Sequence, residues 1–189
     1  AMTLILHSFP GVTLLISLYY VLRSLNLLNS IVGGSMSSRL FQKIREQKGL
    51  AYSVYSGCSS YVTDGIYSIY AGVGHSKVEE AIEAIAEEMR LIKAEGISED
   101  ELAIAKEQMK SSYVFSQENV NNRMYVNGKH TLLLSRLLTT QEILDRIDRV
   151  DMDALNEAAS IIADMDRYSV VLISNRDYDI QSQFDDLKG

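Results

Sequence analysis

The spacing of apolar residues changes several times along this chain, and each change marks an element. From Thr3 to Leu22 there is no Asp, Glu, Lys or Arg, and Leu, Ile and Val dominate. Pro10-Gly11 breaks that stretch, which predicts a buried strand over Thr3–Phe9, a turn, and a buried helix over Leu14–Val32. A bilayer span or a secretory signal are the rival readings of the same stretch, although no basic segment precedes it. Gly33-Gly34 ends the helix, since glycine supplies a left-handed cap. A second, short helix is predicted over Ser37–Glu46, ending near Gly49.

Residues 51–74 are rich in Tyr, Val, Ile and Ser and read as a β-hairpin around Thr63-Asp64-Gly65, because Asp-Gly favours a tight hairpin turn. Tyr67, Ile69, Ala71 and Val73 alternate with more polar neighbours, so one face of that arm is buried. The period then becomes helical: Val78, Ile82, Ile85, Met89 and Ile92 form one stripe. Ser76 and Glu79 have the spacing of a capping box at its start, and Gly96 ends it. Ser98 and Glu101 form a second box, with Ile97 and Leu102 as a hydrophobic staple, on a helix predicted through Met109 and Tyr113 and as far as Tyr125. Thr139 and Glu142 open a third boxed helix, and Asp151 caps a fourth between Val150 and Leu155. Tyr168–Ser174 is a β-branched run predicted as a central strand, and residues 176–189 are polar and expected to fray. This order predicts one α+β domain over residues 1–189, with two layers: a mainly antiparallel sheet and helices on one face.

Composition narrows the function. The 189 residues carry a formal charge of −7, and Lys and Arg are scattered among acidic residues, which argues against a nucleic-acid partner. Cys58 is the only cysteine, so no intramolecular disulfide can form; this fits a cytoplasmic protein, with Cys58 expected as a small buried strand residue. A zinc peptidase needs H-E-x-x-H or H-x-x-E-H, and neither string is present. His75 and Glu79 offer at most two ligands, whereas a catalytic zinc takes three from the protein. There is no G-x-S-x-G elbow, no P-loop and no G-x-G-x-x-G. The residues by themselves therefore predict a globular domain with no active site of its own.

One stretch carries more. Residues 33–55 read Gly-Gly-Ser-Met-Ser-Ser-Arg-Leu-Phe-Gln-Lys-Ile-Arg-Glu-Gln-Lys-Gly-Leu-Ala-Tyr-Ser-Val-Tyr. This resembles the signature of the second, non-zinc domain of the pitrilysin–insulinase metallopeptidases, in their mitochondrial-processing-peptidase-like branch. The similarity resumes at Ala105-Lys-Glu-Gln-Met-Lys110, Ser116-Gln-Glu118, Arg123-Met124, Gly128 and Thr139–Leu144. The resemblance implies a non-catalytic, substrate-binding half of a zinc metalloendopeptidase. Zinc would lie in a separate N-terminal half, and this chain would bind no cofactor. By the same resemblance Arg45 and Tyr52, seven residues apart, reach toward the peptide substrate. The rival expectation is that Arg45 pairs with a carboxylate on its own helix and that Tyr52 packs as a strand aromatic. The expected partners are an N-terminal catalytic half or catalytic subunit, a peptide, and a second copy in a homodimer; neither nucleic acid nor membrane is expected. A regulatory or scaffold subunit that pairs in trans, and a stand-alone peptide-binding domain, are the alternative functions.

Overall fold

The computed structural model describes residues 2–6, 15–60, 65–175 and 177–186, with side chains from Ser24 onward except those of Ser60, Gln181 and Gln183. Among the described residues four strands form one antiparallel sheet: β1 (Met2–Leu6), β2 (Ala51–Ser60), β3 (Gly65–Val73) and β4 (Tyr168–Leu172), in the order β2-β3-β1-β4. The predicted α+β architecture holds. β1 pairs with β3 on one side and β4 on the other, so the first apolar segment supplies an inner strand. The Pro10-Gly11 turn and the hairpin residues 61–64 lie outside the described residues.

Helix α1 (Leu15–Val32) buries Leu25, Leu27, Leu28, Ile31 and Val32 and packs against strand β2 and two later helices. No helix among the described residues is long and apolar enough to cross a membrane. Helix α2 (Val78–Glu95) buries the predicted stripe and stops at Gly96, whose φ is +73°. Helices α3 (Glu99–Ser116), α4 (Val120–Leu134), α5 (Thr140–Asp148), α6 (Met152–Ile162) and α7 (Ile180–Asp186) complete the fold. Ser98 and Glu101 make the expected box at α3, Thr139 and Glu142 make one at α5, and Asp151 caps α6.

Four expectations need correction. The Ser76–Glu79 box does not form: His75–Lys77 is one 3₁₀ turn, α2 begins at Val78, and its Lys77 cap makes no side-chain hydrogen bond. The helix from Ser98 does not run to Tyr125. Ser116 Oγ donates to Tyr113 O at 2.6 Å, and Asn119 starts a new helix by accepting from Asn122 N at 3.2 Å. Short polar side chains that bond nearby backbone compete with helix continuation, and no Pro or Gly is needed. Tyr168–Leu172 is an edge strand and not a central one, because β1 occupies the place between it and β3. The fourth is the segment after Gly34. It is a π-helix over Phe41–Gln47, with Lys48 N donating five residues back to Lys43 O at 3.1 Å.

Within the C-terminal stretch expected to fray, α7 packs on β4 and buries Phe184. Tyr178 Oη donates to His75 O at 2.7 Å and so ties this stretch to the 3₁₀ turn ahead of α2. Cys58 is half-buried against the core, and burial pushes its thiol pKa up, the opposite of what a nucleophilic thiolate requires.

The sheet meets α1 at Gly33, whose carbonyl accepts from Ser56 N at 3.0 Å. A Cβ on Gly33 would lie 2.5 Å from Ser56 Oγ and 2.6 Å from Ser56 N. The second atom is backbone, so a rotamer change cannot relieve the clash. Gly33→Ala is expected to destabilise the domain by about 1–3 kcal/mol, the usual range for overpacking. Urea unfolding reads this as a lower midpoint at unchanged m-value; an unchanged midpoint would contradict so close an approach.

Candidate functional site

The π-helix carries Arg45, and the bulged start of β2 carries Tyr52. Gly49 links them with φ +59° and has nothing within 4 Å of where a Cβ would stand, so its requirement is conformational. Leu50 N closes the turn on Ile44 O at 2.9 Å. The β2–β3 register shifts between Ala51, opposite Val73, and Ser53, opposite Gly72. Tyr52 is the extra residue, and a bulge of this kind re-aims a side chain away from the regular alternation. Its ring is 87% exposed between the buried Ala51 and the half-buried Ser53.

Arg45 and Tyr52 come together, with the guanidinium carbon 5.9 Å from the Tyr52 ring centroid. Arg45 also lies 4.7 Å from the centroid of Phe41, a residue the sequence reading passed over. The rival expectation of a carboxylate partner is met only weakly: Arg45 Nε stands 3.8 Å from Glu46 Oε1, with the side chains 40% and 53% exposed. An ion pair so wet and so long holds little. Further along the hairpin Tyr55 and Tyr70 stack at 4.8 Å on the sheet face left open by the helices.

What fixes the π-helix is Arg39, six residues before Arg45. Its Nε donates to Glu101 Oε1 at 2.6 Å, and Nη2 donates to Glu101 Oε2 at 2.7 Å and to Gly96 O at 3.1 Å. Glu101 also accepts from Ser98 N and Ser98 Oγ, so the capping box of α3 and the clamp on the π-helix share one carboxylate. The Arg39 hydrogen bond holds the Glu101 pKa down to about 2, against the opposing effect of burial. Glu88 stands 3.8 Å from Arg39 Nη1 and is buried; that burial pushes its carboxyl up, and Arg39 and Lys43 offset part of the rise.

The peptidase M16 inactive-domain family matches residues 5–109. The chain is 45% identical over 147 residues to a Bacillus subtilis protein, the uncharacterized zinc protease YmxG, and 35% identical over 136 residues to an uncharacterized zinc protease of Streptomyces coelicolor. The chain belongs to the peptidase M16 inactive-domain family. The matches cover 78% and 72% of this chain but only 36% and 30% of those relatives, so the M16 domain spans about a third of their length. In fold it is similar to a protease from Helicobacter pylori, with TM-score 0.72 and 15% identity, covering 89% of this chain and 39% of that one. It is similar too to the inactive peptidase domain of a Bordetella parapertussis protein, with TM-score 0.69 and 15% identity, covering 90% and 89%.

Among the described residues no group of three His, Cys, Asp or Glu side chains converges. His75 sits exposed in a 3₁₀ turn, His130 lies on α4, and His7 is outside the described residues. The sequence reading missed Arg39 and Phe41 because neither belongs to a periodic pattern; their partners are fixed by folding.

The clamp makes stability depend on acid in a defined direction. Glu101 titrates lower in the folded chain than in the unfolded one, so its contribution is present above the ordinary carboxylate range and is lost as pH falls toward about 2. Glu88 works with the opposite sign, since protonating it favours the folded state. Arg39→Met is expected to cost about 2–3 kcal/mol at pH 7, the upper range for hydrogen bonds between charged groups. Urea unfolding should show a much smaller difference between variant and parent near pH 2, where Glu101 is protonated in the variant and already about half protonated in the folded parent. Equal losses at both pH values would mean that packing, and not the ion pair, carries the effect.

Proposed function

We propose that this chain is the non-catalytic, substrate-binding half of a zinc metalloendopeptidase, in which Arg45 and Tyr52 bind the peptide. The observation that carries this reading is the placement of these two side chains. A fixed cation and a phenol stand side by side, exposed, on a π-helix and a β-bulge, two features that recur beside functional sites. Neither residue serves the core. Arginine remains charged at any working pH, and both groups can donate to the oxygen of a peptide carbonyl as negative charge develops on it. Zinc, held by a catalytic half on the same polypeptide or on a partner, would supply the activated water.

Exposed apolar side chains support the pairing. Helix α4 contains no buried residue, and Phe115, Val120, Met124, Tyr125 and Leu132 are exposed on α3 and α4. Exposed apolar side chains on two consecutive helices are the kind of surface that marks an interaction site. In the isolated chain a second copy is the proposed occupant, giving a twofold dimer. Light scattering at high concentration tests this, and a strictly monomeric mass would oppose it. The same sample is expected to hold no stoichiometric zinc after dialysis and to cleave no peptide; one zinc per chain would contradict the reading.

With the catalytic half supplied, Arg45→Ala removes a charge-assisted hydrogen bond worth roughly 1.5–3 kcal/mol. That corresponds to a loss of around ten- to a hundred-fold in kcat/KM. Tyr52→Phe is expected to cost less, since a neutral donor is the weaker partner. Thermal unfolding of the isolated chain should barely move in either variant. Full peptidase activity in both would defeat the assignment.

A further inference from the structure

We propose that Phe41 is a positioning residue for Arg45, holding the guanidinium by its face so that the in-plane N–H groups point to an oxygen acceptor on the peptide. The inference rests on the reading of Arg45 as a peptide-binding residue. Phe41 and Arg45 are the first and fifth residues of the π-helix, and the guanidinium carbon is 4.7 Å from the Phe41 ring centroid. This falls within the reach of a cation–π contact and is shorter than the 5.9 Å to Tyr52. A free arginine side chain samples many rotamers, and a planar group stacked on a ring samples few. Among the described residues Arg45 forms an ion pair with Glu46 at 3.8 Å, between two exposed groups, which is too weak to orient it. A ring uses the π-face of the guanidinium and leaves its donors in the plane unspent, so stacking and peptide binding do not compete.

The ring is itself anchored. Arg39 and Leu40 precede it, one tied to Glu101 and Gly96 and the other fully buried. The run Arg39-Leu40-Phe41 thus links the clamp on α3 to the orientation of a cation at the surface.

Two measurements test this. In the chain labelled with ¹³C,¹⁵N-arginine, the Arg45 side-chain protons, assigned with Arg45→Lys, are expected to be shifted upfield by the ring. Phe41→Leu should abolish most of that shift and Phe41→Tyr should keep it, with circular dichroism verifying the fold of each. In the two-half enzyme, Phe41→Leu is expected to lower kcat/KM about two- to fivefold, the scale of an exposed cation–π contact. It should change the same one of kcat and KM that Arg45→Ala changes, and Phe41→Tyr should restore the parent value. The double variant Phe41→Leu/Arg45→Ala should be no worse than Arg45→Ala alone, because Phe41 acts only through Arg45. Unmoved Arg45 resonances in Phe41→Leu, or losses that add in the double variant, would overturn this inference and leave the peptide-binding reading of Arg45 standing. Parent activity in Arg45→Ala would overturn both.

Discussion

The Arg39–Glu101 ion pair ties together parts of the chain that have no local reason to meet. Its two short hydrogen bonds span 62 residues of sequence, and the same carboxylate closes the capping box of α3. The arginine also reaches the carbonyl of Gly96, where α2 ends. One side chain therefore fixes the α2–α3 corner and the start of the π-helix at once. A planar, permanently charged fork suits this role, because a lysine could not meet both carboxylate oxygens and a carbonyl in one geometry.

From that fixed point the surface follows. The π-helix begins two residues later, packs Ile44 into the core, and presents Arg45 outward. Gly49 reverses the chain, and the bulge at Tyr52 then departs from the in–out alternation that would otherwise set the direction of its side chain. Close approach at Gly33 seats the end of α1 against Ser56 on β2, so the strand carrying the bulge cannot drift from the helical layer. Membership of the M16 inactive-domain family fits a molecule of this kind: a rigid two-layer frame, no metal donor set among the described residues, and exposed polar and apolar groups that face no part of its own core.

Much of the fold was legible in the sequence because it depends on neighbours three or four residues apart. The Val78–Ile92 stripe, the boxes at Ser98 and Thr139, the Asp151 cap and the stop at Gly96 are local hydrogen-bond and periodicity signals, and they formed. Where two local signals competed, the reading failed. Ser76 and Glu79 have capping-box spacing, but a 3₁₀ turn took those residues. Ser116 and Asn119 ended a helix whose apolar spacing continued. The pairing of Arg45 with Tyr52 was legible only through resemblance to a family, since no periodicity joins a helix residue to a strand residue.

The sequence by itself determined the class of the domain, most of its helices, and the lack of either zinc-binding string. Those follow from composition and from short-range spacing. Tertiary structure alone decided that β1 is an inner strand and β4 an edge, that Arg39 reaches Glu101, that Phe41 lies against Arg45, and that Tyr52 leaves the sheet through a bulge. Each of these is a choice of partner between distant segments. Such choices are made by packing of the whole core, when many contacts become satisfiable together, and local backbone preference does not encode them.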